Sequence, residues 1–445
     1  MASSSLHHPS LHHPSFAELV RVSARIGCLS FGGPVGQIAL MHRELVEERR
    51  WVEEDDYLQA LNLCHLLPGP EAQQLATWIG WKLHGWRGGI VAGGLFVIPG
   101  ALVMLALSML YAVAANLDWF AAIFLGIKAA VLAIIAQALV RIAGRALKTT
   151  IQRVLAVVAF LALFLFDAPF PLVVLAALGI GAIVGARRPD LLALKSSDNP
   201  RPLGRRPWGA TLKAVAVWLA LWAAPMVAVL VLLGRDHVLW DIGVFFSQLA
   251  MVTFGGAYAV LAYMAQEAVS GFGWLRAGEM ADGLGLAETT PGPLIMVTQF
   301  VGYLAAFRAP GPLSPMVAGI LGAGLTTWVT FAPCFLWIFA MAPWMDRMQR
   351  APALKGGLAA VTAAVVGVIA NLALWFALHV LFGRVSTLEA GPLRVQWPDL
   401  ASLEWRAAVI AILALVLIFR LKWGIIATLA ATATLGLVLG TLAPA

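Results

Sequence analysis

Apolar residues in this chain run in long uninterrupted stretches and do not alternate with polar ones. Residues 88–113, 119–140, 154–166, 214–233 and 407–419 each hold at most one charge. These stretches approach or exceed the roughly 20 residues that a helix needs to cross the hydrocarbon core of a bilayer. Backbone polar groups in lipid must be satisfied within the segment, so the stretches read as helices. The pattern predicts six membrane segments, at 16–45, 57–82, 88–113, 119–140, 154–166 and 171–186, before a polar linker. One extra span follows at 213–233. Six more then lie at 241–268, 279–307, 315–343, 356–382, 407–419 and 424–443. The expected fold is an all-α polytopic membrane protein of about 13 transmembrane segments. Its organisation is a His-rich flexible tail (1–15), a first repeat (16–186), a basic cytoplasmic linker (187–210), a connecting span (211–234) and a second repeat (235–445).

Composition agrees with this reading: 61% of residues are hydrophobic and 12% charged, against about a quarter charged in a soluble domain. The net charge of +7 does not indicate nucleic acid, because the basic residues sit between apolar segments, as cytoplasmic loops do under the positive-inside rule. The linker carries Arg187, Arg188, Lys195, Arg201, Arg205 and Arg206. Counting back through six crossings places the amino terminus in the cytoplasm. Arg49 and Arg50, then Arg235 and Arg308, are the exceptions, falling on the outer side. The tail lacks the apolar core of a signal peptide. Cys28, Cys64 and Cys334 have no metal-binding or disulfide spacing, so neither a metal nor a cofactor is expected.

The two halves share motifs in one constant register. Phe31-Gly32-Gly33 matches Phe254-Gly255-Gly256, Glu44 matches Glu267, Trp51 matches Trp274, and Pro68-Gly69-Pro70 matches Pro291-Gly292-Pro293, all under the same shift along the chain. An odd span between the copies makes the second enter the membrane from the opposite face. This is the inverted-topology duplication of transporters, whose sites lie between interrupted helices. Gly-Gly and Pro-Gly-Pro are where interruption is expected, since one weakens a helix and the other removes amide donors and fixes a turn. A half-helix that starts after Pro70 or Pro293 presents unpaired N–H groups and a positive dipole end, which suit an oxyanion.

The candidate substrate-binding residues are Ser30, Gly32, Gly33, Gly69 and Gln74 in the first copy, and Thr253, Gly255, Gly256, Thr289, Thr290, Gly292 and Gln299 in the second. Arg25, Glu44, Glu71, Lys128, Glu267 and Glu288 are candidates for charge compensation or coupling, because an ionisable group within a span is costly and usually functional. For single residues there are plainer readings: Glu71 as a helix cap, Lys128 as a snorkelling side chain, Arg21 and Arg25 as interfacial anchors.

At these residues the sequence resembles the chromate ion transporter family in its long two-domain form. The resemblance rests on Ser-Phe-Gly-Gly-Pro at 30–34, His42-Arg43-Glu44 and Trp51, then Leu-Leu-Pro-Gly-Pro at 66–70 with Gln73, Gln74 and Gly80. In the second half it rests on Thr-Phe-Gly-Gly at 253–256, Trp274, Thr-Pro-Gly-Pro at 290–293 and Gly302. It implies export of chromate from the cytoplasm across the inner membrane and chromate resistance, with sulfate as the related dianion. Ala257 stands where the first copy has Pro34, so the two breaks need not be equivalent. The expected partners are such an oxyanion and membrane lipid, with no nucleic acid; the oligomeric state, a homodimer included, stays open.

Two alternatives remain on the residues alone. One is a carrier of sulfate or another anion on the same scaffold. The other is a membrane-embedded lipid-modifying enzyme, but the histidines show no nucleophile-base spacing, and no catalytic residue is expected.

Overall fold

The computed structural model describes residues 12–31, 33–114, 117–194, 208–254, 257–348, 351–391 and 393–442. Most of the His-rich tail and most of the basic linker lie outside the described residues.

The first half is built from α1 (Phe16–Leu29), α2 (Gly33–His42), α3 (Glu54–Leu66), α4 (Glu71–Ala114), α5 (Asp118–Ala146), α6 (Thr150–Phe166) and α7 (Phe170–Arg187). The connecting span is α8 (Trp208–Leu232). The second half comprises α9 (Val238–Met251), α10 (Ala257–Gln266), α11 (Ala277–Thr289), α12 (Val297–Arg308), α13 (Pro315–Met341), α14 (Met345–Met348), α15 (Pro352–Leu381), α16 (Trp405–Leu415) and α17 (Ile425–Leu442). Among the described residues, six helices are long and apolar enough to cross a membrane, and the chain is a multi-pass helical membrane protein. Shorter apolar helices accompany them, α6 and α9 among these.

Local chemistry sets the boundaries. Ser15 and Glu18 form a reciprocal capping box at α1, and Thr149 and Gln152 form one at α6. Prolines open α13 and α15, where the missing N–H costs nothing. Both α2 and α10 close in π-helical turns, Arg43–Glu48 and Glu267–Gly271. The predicted spans at 16–45, 57–82, 241–268 and 279–307 are each interrupted among the described residues, at 30–31, 67–70, 252–254 and 290–293; residues 32, 255 and 256 lie outside them.

Helix α4 reverses on itself. His84 and Gly85 leave helical geometry, Gly85 with φ 59°, and a Cβ on Gly88 would lie 2.1 Å from the carbonyl oxygen of Gly80. The expected loop at 82–87 is therefore a tight turn between two antiparallel arms, 71–83 and 86–114. In the second half α12 and α13 make the same hairpin, with Gly322 against the Gly302 carbonyl.

The halves interlock. Helix α15 packs on α6 and α7, α17 on α5, and both α12 and α13 on α4. Glycines allow these close approaches: a Cβ on Gly181 of α7 would sit 2.4 Å from the Gly356 carbonyl of α15, and one on Gly126 of α5 2.0 Å from that of Thr432 in α17. Small residues are the usual means of close helix approach where water supplies no hydrophobic drive.

One element departs from the all-α expectation. Strands β1 (Val385–Ala390) and β2 (Leu393–Pro398) form an antiparallel hairpin where a long loop was expected. Gly391, with φ 62°, makes the turn. The strands are largely exposed, so no apolar alternation marks them.

Each half also carries an ion pair that ties its third helix to the following arm. Asp56 of α3 pairs with Lys82. Glu279, which matches Asp56 in the register of the shared motifs, opens α11 and pairs with Arg308 at 2.7 Å and Arg276 at 2.8 Å. Glu279 is buried, so Arg308→Gln is expected to destabilise the protein by about 2 kcal/mol, below the full cost of breaking a buried pair because Arg276 remains and Arg308 is partly exposed. Thermal unfolding in detergent checks this; an unchanged midpoint would make the pair a surface contact only.

Candidate functional site at two helix breaks

The breaks at 67–70 and 290–293 face each other's halves. The Gly69 N–H donates to the carbonyl of Thr253 at 2.8 Å, and the Gly292 N–H donates to the carbonyl of Ser30 at 2.9 Å. Gly69 is the counterpart of Gly292, and Ser30 that of Thr253, in the register of the shared motifs. The two copies thus exchange equivalent hydrogen bonds, each Pro-Gly-Pro turn against the residue two before the other copy's Gly-Gly pair. Both glycines have positive φ, +117° and +88°, a backbone region that strains other residues.

The long helices close the arrangement reciprocally. A Cβ on Gly100, next to Pro99 in α4, would lie 2.3 Å from the Pro291 carbonyl oxygen, and one on Gly69 would lie 2.7 Å from Sγ of Cys334, next to Pro333 in α13. Gln37 adds a third strut, its amide donating to the Gly292 carbonyl at 2.6 Å and the Ser30 carbonyl at 3.3 Å.

The predicted side-chain donors are largely committed within the protein. Ser30 donates to the Ile26 carbonyl and Thr253 to that of Leu249, each at 2.6 Å. Thr289 and Thr290 donate to Leu286 and Ala287. Gln299 donates to the Ala101 carbonyl and accepts from Thr327. Gln74 donates to the Pro68 carbonyl, but its oxygen has no partner among the described residues. Gly33, with φ +72°, has open space around it. Gly32, Gly255 and Gly256 lie outside the described residues.

The helix start after the first break differs from that after the second. Gln73 is fully buried, and among the described residues neither its amide nitrogen nor its oxygen has a partner; Trp78, one turn on, has an unpaired indole N–H. Thr330 and Trp337, one turn either side of Cys334 in α13, also hold partnerless polar atoms, as does Trp218 of α8, whose ring stacks on Phe335. Positions 296 and 297, equivalent to Gln73 and Gln74, are Met and Val. Buried polar groups are rarely left unpaired. Those of Gln73 and Trp78 lie in the first turns of α4, where a helix start already offers free N–H groups. Donor nitrogens without fixed cations fit recognition of an anion by hydrogen bonds.

The charged candidates form separate clusters. Buried Glu44 is held by Arg49 at 2.7 Å and Arg25 at 3.5 Å. Glu71 opens α4 with its carboxylate 3.3 Å from the His65 ring, where it favours the helix dipole. Glu267 is partly buried in the π-turn, and Glu288 is buried on the last turn of α11. Lys128 lies 3.7 Å from Asp282. Sequence reading missed Asp282, Gln37, Trp78 and Thr330; each is marked only by a contact, or the lack of one, with residues distant in sequence.

The chromate transporter family model matches residues 17–183 and 240–437, two stretches whose starts stand in the same register as the shared motifs. A probable chromate transport protein of Synechococcus elongatus is 31% identical over 80% of this chain and 83% of its own. The chromate transport protein of Pseudomonas aeruginosa is 33% identical over 85% of this chain and 84% of its own. That of Cupriavidus metallidurans is 30% identical over 79% and 80%. These relatives are named as transport proteins, which points to a transporter and not an enzyme. No solved structure matches. With the family model fitting both halves and relatives aligned along most of its length, the chain belongs to the chromate transporter family.

Proposed function

We propose that this protein exports chromate, a tetrahedral dianion like sulfate, from the cytoplasm across the inner membrane by alternating access, and so confers chromate resistance. The observation that carries the reading is the reciprocal pair of hydrogen bonds at Gly69 and Gly292, which joins the two copies at their breaks. In this proposal the copies are inverted repeats that cross the membrane in about 13 spans, with the amino terminus cytoplasmic. They rock about the breaks, and the start of α4, with Gln73 and Gln74, receives the anion. The start of α12 is apolar at the equivalent positions, so binding is lopsided.

Energetics favour export. Moving one charge through 100 mV is worth about 2.3 kcal/mol, so expelling a dianion from a negative interior gains about 4.6 kcal/mol per 100 mV. The test is chromate flux in proteoliposomes under imposed, reversed and zero potential with sulfate as competitor. Saturable movement toward the positive side, blocked by sulfate, is expected. Absence of chromate flux under every potential and pH gradient would overturn the substrate; sulfate flux without chromate flux would reassign it.

A further inference from the structure

One buried charged cluster takes no part in the breaks. Asp282 is 5% exposed on α11, seven residues or about 10 Å along the helix from Thr289. Its Oδ2 accepts from the Tyr111 hydroxyl at 2.6 Å. Its Oδ1 accepts no hydrogen bond among the described residues and stands 3.7 Å from Nζ of Lys128. Tyr111 and Lys128 belong to α4 and α5 of the first half, Asp282 to the second. The pair therefore bridges the two halves.

Packing does not explain it. A buried ion pair is no more stabilising than apolar side chains of the same volume, and ionisable groups inside membrane proteins usually mark ion or proton paths. Asp282 also has no carboxylate counterpart in the first copy, where Gln59 occupies the equivalent position. A cavity of about 300 Å³ adjoins the pair, lined by Tyr111, Phe120, Phe124, Lys128, Arg276 and Glu279 among others. It reaches the surface at Arg276, whose side chain is 80% exposed. Other charged groups on this side are engaged or peripheral. Glu279 is held by Arg276 and by Arg308 of α12. His379 of α15 bonds the Trp375 carbonyl and, with Asp118 and the paired Glu404 and Arg406, lines a second cavity beside Lys128.

We propose that Asp282 binds and releases one proton per transport cycle, with Lys128 as its counter-ion, so that proton and oxyanion cross in the same direction. A hydronium ion in the cavity gives up one O–H bond as an O–H bond forms at Oδ1, leaving water; on the other side the Oδ1–H bond breaks and the proton passes back to water. When Asp282 is neutral, the partly buried Lys128 ammonium loses its counter-ion, and a dianion bound in the protein restores the balance. Proton and anion then favour each other's binding, a reciprocal coupling that loads both on one state. One negative charge still moves per cycle, so an inside-negative potential still drives the anion outward.

The inference rests on the transport reading above, and the experiment separates the two. Purified protein in liposomes containing a pH-sensitive dye is given a chromate gradient with the potential clamped at zero. Wild type is expected to acidify the interior by about one proton per chromate that enters, and Asp282→Asn to carry chromate without that proton. Three results overturn the proposal: chromate flux in wild type without proton movement, protons moving against the anion, or equal acidification in Asp282→Asn, since the anion would then carry its own proton. No chromate flux at all would overturn the transport reading with it. If Asp282→Asn is inactive, Tyr111→Phe decides, because it removes one bond to the carboxylate and keeps both charges. The pH of half-maximal transport is expected to rise by about half a unit or more, and an unchanged midpoint overturns the assignment.

Discussion

Gly100→Ala is expected to reduce chromate transport by about tenfold or more while the protein still inserts in the membrane. The added methyl would lie 2.3 Å from the Pro291 carbonyl oxygen, a backbone atom that cannot rotate away. The second arm of α4 and the second break must separate by about 1 Å to relieve the overlap, and a close-packed interior does not absorb that locally. The strain falls on the bond from the Gly292 N–H to Ser30, the contact through which the halves are proposed to move. A displacement of this size at a working site is enough for losses of about a hundredfold in enzymes. Gly94→Ala is the control: it sits in the same arm, and the nearest atom to its added methyl is Cδ1 of Ile98 at 4.0 Å. Radiolabelled or absorbance-monitored chromate flux into vesicles, normalised to inserted protein, measures both. Equal flux in the two variants would mean that the breaks do not need their close approach.

The helical membrane character, the places where helices stop and the duplication were legible in the sequence, because each depends on local signals. Long apolar runs, glycine pairs and Pro-Gly-Pro act within a few residues. The shift that aligns the motifs also carries α3 (Glu54–Leu66) onto α11 (Ala277–Thr289) residue for residue. The site was less legible. Ser30 and Thr253 read as donors for an anion, yet their hydroxyls bond the carbonyl four residues back, a habit of Ser and Thr in helices that competes with any ligand. Lys128 stood out as a charge in an apolar run, but Asp282 did not, because α11 is polar enough to carry an aspartate without remark. Only the approach of α11 to α5 and α4 turns it into the buried half of an ion pair. The β-hairpin went unseen because its strands bury neither face.

Gln73→Leu is expected to separate function from stability. In this structure both polar atoms of the Gln73 side chain are buried without a partner among the described residues. Each such atom costs about 1–3 kcal/mol of desolvation that no bond returns. Leucine has nearly the same volume, so the substitution leaves no cavity and should raise the thermal midpoint or hold it. If the side chain served only packing, transport would follow stability and be unimpaired. If it meets the anion at the start of α4, transport should fall by about tenfold or more, and most of the loss should appear as weaker half-saturation for chromate, since a donor to the bound anion is gone. Met296→Leu, at the equivalent position of the second copy, should change neither quantity appreciably, because Met296 has no polar group to lose. Flux against chromate concentration, measured beside thermal unfolding in detergent, reads both effects on one preparation. A variant that is more stable and transports as well as wild type would remove Gln73 from the site and move the search for the anion away from the first break.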